Sequence, residues 1–277
     1  MSPLNIHFLG TGGGRFTMIT QRRRTAGIRL VQGDTHVHVD PGPGAIVFSN
    51  WAHLSPQRLD GLIVTHCHPD HYTDAEVLVE AMTHGTRDKR GVLAAPLSVL
   101  RGNDECDSSI STYHQDLVER IEPLSPGHGF NVDGIRFEAV KAIHSDPETV
   151  GFRAEAPEAG IIGYTSDTAY FPEIGELYCG ARLLMVCTMW PRDNPLKYHL
   201  CTDDARRIIE GARPGCAVLT HFGMKMLNAD PEKEAAYLQK ETGVPTIAAR
   251  DDMTIILGEG VEVRGPKKSD PPLFIEA

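Results

Sequence analysis

The stretch Thr65-His-Cys-His-Pro-Asp-His71 places four possible metal-ligating side chains within six positions. Residues two apart in an extended chain point to the same face, so His66 and His68 can reach one metal ion. Asp70 and His71 can reach a second ion nearby. Four ligands at this spacing predict a metal centre, because a polar loop with this composition seldom arises by coincidence.

This stretch joins two segments with different hydrophobic patterns. Gly61–Thr65 is a short apolar run, which predicts a buried strand, and Thr73–Thr83 has apolar residues at helical spacing, which predicts a helix. The ligands therefore lie on a loop between the end of a strand and a helix. Within that loop, Cys67 faces away from the two flanking histidines by the same alternation, and we interpret it as a packing residue.

Three further candidate ligands each follow an apolar segment that predicts a strand. They are His144 after Gly134–Ala142, Asp167 after Ile161–Thr165, and His221 after Cys216–Thr220. A single polar residue at a strand end is more often structural than a ligand. Together with the first four side chains, however, these three predict a metal site assembled from several strand ends, in which histidine is the dominant ligand.

The composition is that of a globular protein, and it excludes several classes. Among 277 residues, 41% are hydrophobic and 23% are charged, so the chain can bury a sizeable core. It has 27 Lys and Arg against 37 Asp and Glu, a formal net charge of -10, which argues against nucleic acid and anionic membranes as partners. No apolar run reaches the roughly 18 residues of a membrane helix, and the first residues do not resemble a signal peptide. We therefore expect a cytoplasmic protein with its six cysteines reduced.

The rest of the pattern is mixed, with strands in runs and helices between them. The turn signal Gly33-Asp34 predicts a β-hairpin. Further strands are predicted at Leu4–Leu9, Gly27–Val31, Thr35–Val39, Val150–Glu155, Leu183–Cys187, Thr246–Ala248, Thr254–Leu257 and Val261–Arg264. Helices are predicted at Ala45–Leu54, at Thr202–Ala212 with Thr202 as N-cap, and from Asp230-Pro231 to Gly243.

The middle of the chain, residues 86–129, is interpreted as loop-rich, with a helix near Tyr113–Ile121. We expect residues 87–129 to cover the metal centre. No linker rich in Pro, Gly or Ser divides the chain. One domain is therefore expected over residues 1–264, followed by a C-terminal tail over residues 265–277.

The motif His-x-His-x-Asp-His over His66–His71 resembles that of the metallo-β-lactamase superfamily. The superfamily's other positions match, in order along the chain, Asp40, His144, Asp167 and His221. The resemblance extends from Leu4 to about Leu257. It implies an α/β (α+β) fold, the αββα four-layer sandwich, in which two sheets pack face to face with the metals at one edge.

The resemblance also implies how two divalent metal ions are held. One ion would take His66, His68 and His144, and the other would take Asp70, His71 and His221. Asp167 would bridge the ions, and Asp40 would orient a ligating histidine. Zinc is the first expectation, with manganese or iron as alternatives, because His and Asp ligands suit all three. True β-lactamases of the superfamily usually have a cysteine in place of Asp167, so β-lactam hydrolysis is disfavoured.

Two other features resemble ribonuclease Z and its phosphodiesterase relatives. One is the opening Phe8–Gly14 followed by Arg22, Arg23 and Arg24, and the other is His199. In that branch the equivalent histidine stabilises the transition state or protonates the leaving oxygen, so the predicted catalytic residues are Asp70 and His199. The three arginines are candidates for binding a substrate phosphate, although a solvated loop is the more common role of such a run.

The departures from ribonuclease Z point to a smaller substrate. That enzyme has a long arm that grips tRNA between the third motif and the bridging Asp, whereas here only 23 positions separate His144 from Asp167. We therefore predict a dinuclear metal-dependent phosphodiesterase that attacks a small or cyclic phosphodiester with a metal-bridging hydroxide. The alternatives are a hydrolase of a carboxylic ester, lactone or thioester, an RNA endonuclease of ribonuclease Z type, and a metal-binding protein without activity. No membrane partner is expected, and a homodimer is possible.

Overall fold

The computed structural model describes residues 2–104 and 106–265, so all but the first residue of the predicted tail lies outside the described residues. The strands are β1 (Leu4–Phe8), β2 (Ile28–Gln32), β3 (Thr35–Val39), β4 (Gly61–Ile63), β5 (Val92–Pro96), β6 (Arg120–Leu124), β7 (Gly129–Val132), β8 (Ile135–Lys141), β9 (Val150–Ala156), β10 (Gly160–Tyr164), β11 (Leu183–Trp190), β12 (Leu200–Cys201), β13 (Cys216–Thr220), β14 (Thr246–Ala248), β15 (Met253–Leu257) and β16 (Val261–Arg264).

The helices are α1 (Arg15–Thr20), α2 (Ala45–Trp51), α3 (Pro69–Tyr72), α4 (Ala75–Met82), α5 (Leu97–Arg101), α6 (Thr112–Leu117), α7 (Thr202–Ala212), α8 (Met224–Ala229) and α9 (Pro231–Thr242). Short 3-10 turns lie at Pro56–Arg58 and Glu176–Tyr178. Within residues 2–104 and 106–265, no helix has both the length and the apolar character to cross a membrane.

The strands form two sheets. The first runs in the order β16-β15-β1-β2-β3-β4-β5-β6, and the second in the order β14-β13-β11-β10-β9-β8-β7, with β12 paired to β11. Pairing is parallel from β3 to β6, and it is again parallel among β10, β11, β13 and β14. The carboxyl ends of parallel strands meet at one edge of a sheet, so the loops that follow β4, β10 and β13 can converge.

Alternation along the strands sorts the apolar residues into layers. In β1 and β2, Leu4, Ile6 and Leu30 point into the core between the two sheets, where residues such as Phe137 and Met185 of the second sheet meet them. The opposite faces pack against helices: α4 covers the first sheet, and α7 and α9 cover the second. The result is the predicted αββα four-layer sandwich.

Local patterns explain the longer helices. In α4 the buried residues are Ala75, Leu78, Val79 and Met82, which is one face of an amphipathic helix. At the start of α9, the Asp230 side chain accepts a hydrogen bond from the backbone N–H of Glu232, and Gly243 ends the helix in the left-handed conformation. This confirms the predicted limits of α9.

Other predictions were wrong in detail. Cys201, not Thr202, is the N-cap of α7. The predicted helix over Thr73–Thr83 begins at Ala75, and α2 ends at Trp51 rather than Leu54. Residues 86–129 are less irregular than expected, because β5, α5, α6 and β6 lie there and extend the first sheet. The elements α1, α8, β7 and β12 are short and were not predicted from the sequence.

Candidate metal centre

The seven candidate ligands predicted from the sequence come together where strands of both sheets end. His66 and His68 follow β4, and Asp70 and His71 lie on the single turn of α3. His144 follows β8, Asp167 follows β10 and His221 follows β13. The chain therefore brings ligands that are up to 155 positions apart (66 to 221) into one cluster.

The first group of ligands consists of His66, His68 and His144. Their ligand atoms all lie within 4.8 Å of one another. Nε2 of His66 is 3.1 Å from Nδ1 of His68, and that same Nδ1 is 3.0 Å from Nε2 of His144. The other ring nitrogen of His144 lies 2.9 Å from the backbone carbonyl of Tyr198, which fixes the orientation of this imidazole.

The second group consists of Asp70, His71 and His221, again with ligand atoms within 4.8 Å of one another. The Nε2 atoms of His71 and His221 are 3.0 Å apart. Oδ2 of Asp70 lies 3.3 Å from Nε2 of His221 and 3.7 Å from Nε2 of His71. Both imidazoles of this group are buried, and Asp70 is its partly exposed member, just as His68 is in the first group.

Asp167 lies between the two groups. Its Oδ2 is 3.9 Å from Nε2 of His144 in the first group and 3.8 Å from Nε2 of His71 in the second. Its Oδ1 is 3.2 Å from Nδ1 of His221. One carboxylate therefore faces ligands of both groups, which is the position that a bridging ligand requires.

The donor set fits divalent cations. Zinc–nitrogen bonds are about 2.0–2.1 Å long, so two nitrogens on one tetrahedral zinc lie roughly 3.3 Å apart. The nitrogen pairs described above are separated by 3.0 to 3.1 Å. Oδ1 of Asp167 and Nδ1 of His221 are also buried without a hydrogen-bond partner. Buried polar atoms of this kind are rare unless an ion or water satisfies them.

Asp40 is not in either ligand group, and it connects the segments that carry the ligands. Its carboxylate accepts hydrogen bonds from Thr65 N (2.8 Å), Thr65 Oγ1 (2.9 Å) and Tyr164 Oη (2.9 Å). Nδ1 of His71 lies 2.9 Å from Oδ2 of Asp40. Asp40 thus links β3, the loop that carries the first ligands, and β10, and it directs Nε2 of His71 toward the centre.

The glycine turn that follows β1, Gly10–Gly14, packs directly against the metal centre. A Cβ atom on Gly13 would lie 2.2 Å from the imidazole of His221, so only glycine fits there. The N–H of Gly14 donates a 2.6 Å hydrogen bond to Oδ2 of Asp70. His221 itself has a φ of 61°, in the left-handed region that is uncommon for residues other than glycine.

Electrostatics favour positive charge at the centre. Burial opposes protonation of His71, but the carboxylates of Asp40 and Asp70 outweigh burial and raise its pKa to about 10. Burial opposes ionisation of Asp167, yet the neighbouring histidines, with His221 first, lower its pKa to about 2. By contrast, burial and the surrounding imidazoles lower the pKa of His66 well below its usual value.

His199 lies beside the centre, on the short segment before β12. Its Nδ1 is 3.4 Å from Oδ2 of Asp167. Burial lowers the pKa of His199 to about 4, against the opposing effect of Asp167. The structure therefore places this predicted catalytic residue next to the ligand that faces both groups.

A cavity of about 800 Å³ opens over the centre. Asp70, Asp167 and His199 line its inner end. Among the described residues, two positively charged side chains line the cavity, Arg15 and Lys225. Its wall also contains Phe16, Trp190 and Met224, which the sequence analysis did not single out. Phe16 lies two positions after Gly14, the last residue of the glycine turn, and that proximity was the available signal.

Two predictions about the surroundings need correction. Arg22, Arg23 and Arg24 do not line the cavity. Their side chains contact other protein groups. Arg22 donates a hydrogen bond to Asn228, Arg23 donates one to Thr11, and Arg24 forms a 2.7 Å ion pair with Asp252. The described residues of 87–129 also do not line it; their strands β5 and β6 form one end of the first sheet.

One polar residue behind the first ligand group was missed. Asp146 is buried, and its Oδ2 accepts hydrogen bonds from Cys67 N (3.0 Å) and Ser98 Oγ (2.7 Å). It ties the backbone between His66 and His68 to α5. Its place two positions after a predicted ligand was the only local signal for it.

Comparison with known proteins agrees with this geometry. A family model described as "Beta-lactamase superfamily domain" matches residues 35–222. The uncharacterized protein MJ1374 of Methanocaldococcus jannaschii is 40% identical over 259 residues, which cover 93% of this chain and 96% of that protein. Ribonuclease Z of Thermococcus kodakarensis is 37% identical over 86 residues, 31% of this chain and 26% of that enzyme.

A solved structure shares the fold. The metallo-β-lactamase fold protein YhfI of Bacillus subtilis superposes with a TM-score of 0.76 at 19% identity. The match covers 92% of this chain and 99% of that one.

Proposed function

The chain belongs to the metallo-β-lactamase superfamily of metal-dependent hydrolases, and we propose that it hydrolyses a small or cyclic phosphodiester. The observation that carries this proposal is the position of His199. Its imidazole lines the cavity beside Asp167, outside the two ligand groups described above. Cleavage of a phosphodiester releases a poor leaving group, which needs a proton donor at this kind of position.

The two ligand groups would each hold one divalent cation, with Asp167 between them and Asp40 orienting His71. Bound cations would supply Lewis acidity, which lowers the pKa of a water molecule and offsets charge on the phosphoryl oxygens. Zinc, manganese and iron all suit these ligands, and zinc is the first choice.

Two side chains of the protein would transfer protons, one as acceptor and one as donor. Water adds to phosphorus and an ester P–O bond breaks, so one proton leaves the water and one reaches the leaving oxygen. Asp70 would accept the first proton, since its carboxylate lines the cavity. His199 would donate the second from Nε2 as the imidazolium, while Nδ1 keeps its proton toward Asp167 and that contact orients the ring. Burial disfavours the imidazolium in the free protein, and the negative charge of a bound phosphodiester would favour it.

Several observations favour a small substrate. The loop from His144 to Asp167 contains only β9, β10 and short turns, so no arm extends from it to hold an RNA. The chain carries a net charge of -10, which disfavours a polyanion. The partial similarity to a ribonuclease Z supports phosphodiester bonds as the substrate class, since a ribonuclease cleaves such bonds.

The test is the initial rate of bis(p-nitrophenyl) phosphate hydrolysis by chelator-stripped protein reloaded separately with zinc and manganese. We expect metal-dependent turnover. The role of His199 is tested on 2′,3′-cyclic AMP, a diester whose alkoxide leaving group needs a proton. In His199→Ala, we expect the rate on this substrate to fall by about 10²- to 10⁴-fold and the rate on bis(p-nitrophenyl) phosphate to fall less, with both metals still bound by elemental analysis.

The matched control is His84→Ala, which removes an exposed histidine outside the cavity and should leave the rate unchanged. Turnover of p-nitrophenyl acetate or a lactone without turnover of the phosphodiester would contradict the proposal and favour a carboxylic substrate. Loss of metal from His199→Ala would show that His199 is a ligand and not the proton donor.

A further inference from the structure

The cavity has an apolar wall that the proposed hydrolysis does not use. Phe16 and Ile19 of α1 lie three positions apart and are 76% and 72% exposed. Both line the cavity, together with Met18, Leu196 and Met224. Large apolar side chains are usually buried, so two of them exposed on one face of a helix indicate a surface that binds another molecule.

The helix is held in place while its apolar face stays open. Thr17 is buried, and its hydroxyl donates a 3.2 Å hydrogen bond to the carbonyl of Phe222, the residue that follows the ligand His221. Gln21 ends the helix in the left-handed conformation and bonds back to the Thr17 carbonyl at 2.8 Å. The wall is therefore attached directly to the metal centre, and Phe16 and Ile19 are presented to the cavity.

Trp190 lines the same cavity, at the end of β11. The ammonium of Lys225 lies 3.8 Å from the centroid of its ring, a cation–π contact. Lys225 covers one face of the Trp190 ring, so a ligand ring can contact only the other face or the edge, while the nearby ammonium attracts electron-rich rings.

We propose that the aromatic wall, made of Phe16 and Trp190 with the aliphatic Ile19 next to Phe16 on α1, binds a planar aromatic group of the substrate. The inference rests on the proposed function for the position of the phosphate, which would lie at the inner end beside His199. The cavity of about 800 Å³ is within the range of small-molecule sites and is continuous from Phe16 to Asp167. Its concave shape and its link to the centre favour a ring over a flat bilayer or a second copy of the chain.

The test uses metal-loaded protein and two probes that differ in one ring system, AMP and ribose 5-phosphate. The chain has two tryptophans, so Trp51→Phe leaves Trp190 as the sole indole. In this background, we expect AMP to bind at least tenfold tighter than ribose 5-phosphate by calorimetry and to quench the fluorescence of Trp190.

Phe16→Ala should weaken AMP binding by about 5- to 150-fold and leave ribose 5-phosphate binding unchanged. Tyr113→Ala is the matched control, because Tyr113 is an aromatic residue of similar exposure (57%) on α6, outside the cavity. It should change neither affinity.

Equal affinity for the two probes, or no binding of AMP, would overturn the inference. So would a Phe16→Ala variant that keeps AMP affinity but no longer binds phospholipid vesicles or no longer dimerises. The outcomes are separable from the proposed function. AMP preference without phosphodiester turnover would refute only the hydrolysis, and turnover without AMP preference would refute only the aromatic wall.

Discussion

Buried histidines gather at two places in this chain, and the two places differ in the charged groups that face the imidazoles. At the metal centre they meet carboxylates at the ends of strands. On the outer face of the first sheet, His36 and His38 of β3 lie beside Arg29 of β2, under α2. We call these three residues the Arg29 cluster. Arg29 is fully buried, and it donates from Nε to Nδ1 of His38 (3.3 Å) and from its terminal nitrogen to Ser49 (3.2 Å).

The sign of the neighbouring charge separates the two places. In the metal centre, carboxylates raise the pKa of His71 to about 10 in spite of burial. In the Arg29 cluster, burial and then the guanidinium lower the pKa of His36 to about 4 and that of His38 well below its usual value. A cation is favoured in the first place and repelled in the second. The difference therefore lies in the carboxylates, because His66, which other imidazoles surround at the metal centre, has a lowered pKa like His36 and His38.

The largest expected effect follows from removing the carboxylate between the ligand groups. Asp167→Ala should lose one or both metals and reduce turnover by at least about 10³-fold, because both groups would lose a shared ligand. Elemental analysis after gel filtration and the phosphodiester rate measure the two effects. Ala is smaller than Asp and should leave the fold intact, which circular dichroism would check. Normal metal content in this variant would contradict the bridging position.

A smaller effect is expected behind the ligands. Asp40→Asn keeps the size of the side chain but removes the negative charge that faces Nδ1 of His71 at 2.9 Å. We expect metal affinity to fall by about 10- to 100-fold, measured by competition with a chelator. The control is Asp88→Asn, an exposed carboxylate that contacts His84 on the surface. Equal affinities in both variants would show that Asp40 does not act through His71.

Much of the metal centre could be predicted because its signals are local. Four ligands lie in one loop, and each later ligand follows an apolar strand, as in Leu219-Thr-His221. The Arg29 cluster could not be predicted in the same way. Period-two alternation places Arg29, His36 and His38 on the face away from the inter-sheet core, and such residues usually meet solvent. Only tertiary packing buries them, as where Arg29 reaches Ser49 of α2.

The errors in the fold have a similar origin. Hairpin and capping signals, as at Gly33-Asp34 and Asp230-Pro231, specify structure over a few residues and were interpreted correctly. The apolar run of β5 is five residues long and joins α5 without a turn residue between them, so it did not stand out. The helix α1 has six residues and exposes its apolar face, so it lacks the pattern of a core helix.

The Arg29 cluster should contribute to stability and not to catalysis. Arg29 carries a buried charge with no carboxylate at hydrogen-bond distance among the described contacts, and burial lowers its pKa to about 9 despite Asp60. Arg29→Met keeps most of the volume and removes the desolvation cost. We expect the free energy of unfolding in urea to stay the same or rise by up to about 4 kcal/mol, with turnover and metal content unchanged.

Arg29→Ala separates charge from volume. It removes the same charge but leaves a cavity, so we expect a loss of about 2 to 5 kcal/mol. If Arg29→Met is as destabilising as Arg29→Ala, the guanidinium stabilises the fold through its hydrogen bonds, and the contrast between the two histidine clusters is weaker than described.

The smallest expected effect is a change in pH dependence at His36. In the unfolded chain, histidine has a pKa near 6.5, whereas in the fold that of His36 is lowered to about 4. Between these values the unfolded state binds a proton that the folded state does not, so stability falls as the pH falls through this range.

His36→Gln removes this contribution. Metal-free wild type should therefore lose more stability between pH 7.5 and pH 5 than the variant does, by a difference on the order of 1 kcal/mol. His84→Gln, which replaces an exposed histidine, should follow the wild type. If His36→Gln also follows the wild type, the proton affinity of His36 does not differ between the folded and unfolded states, and the guanidinium of Arg29 does not set the charge of its neighbour.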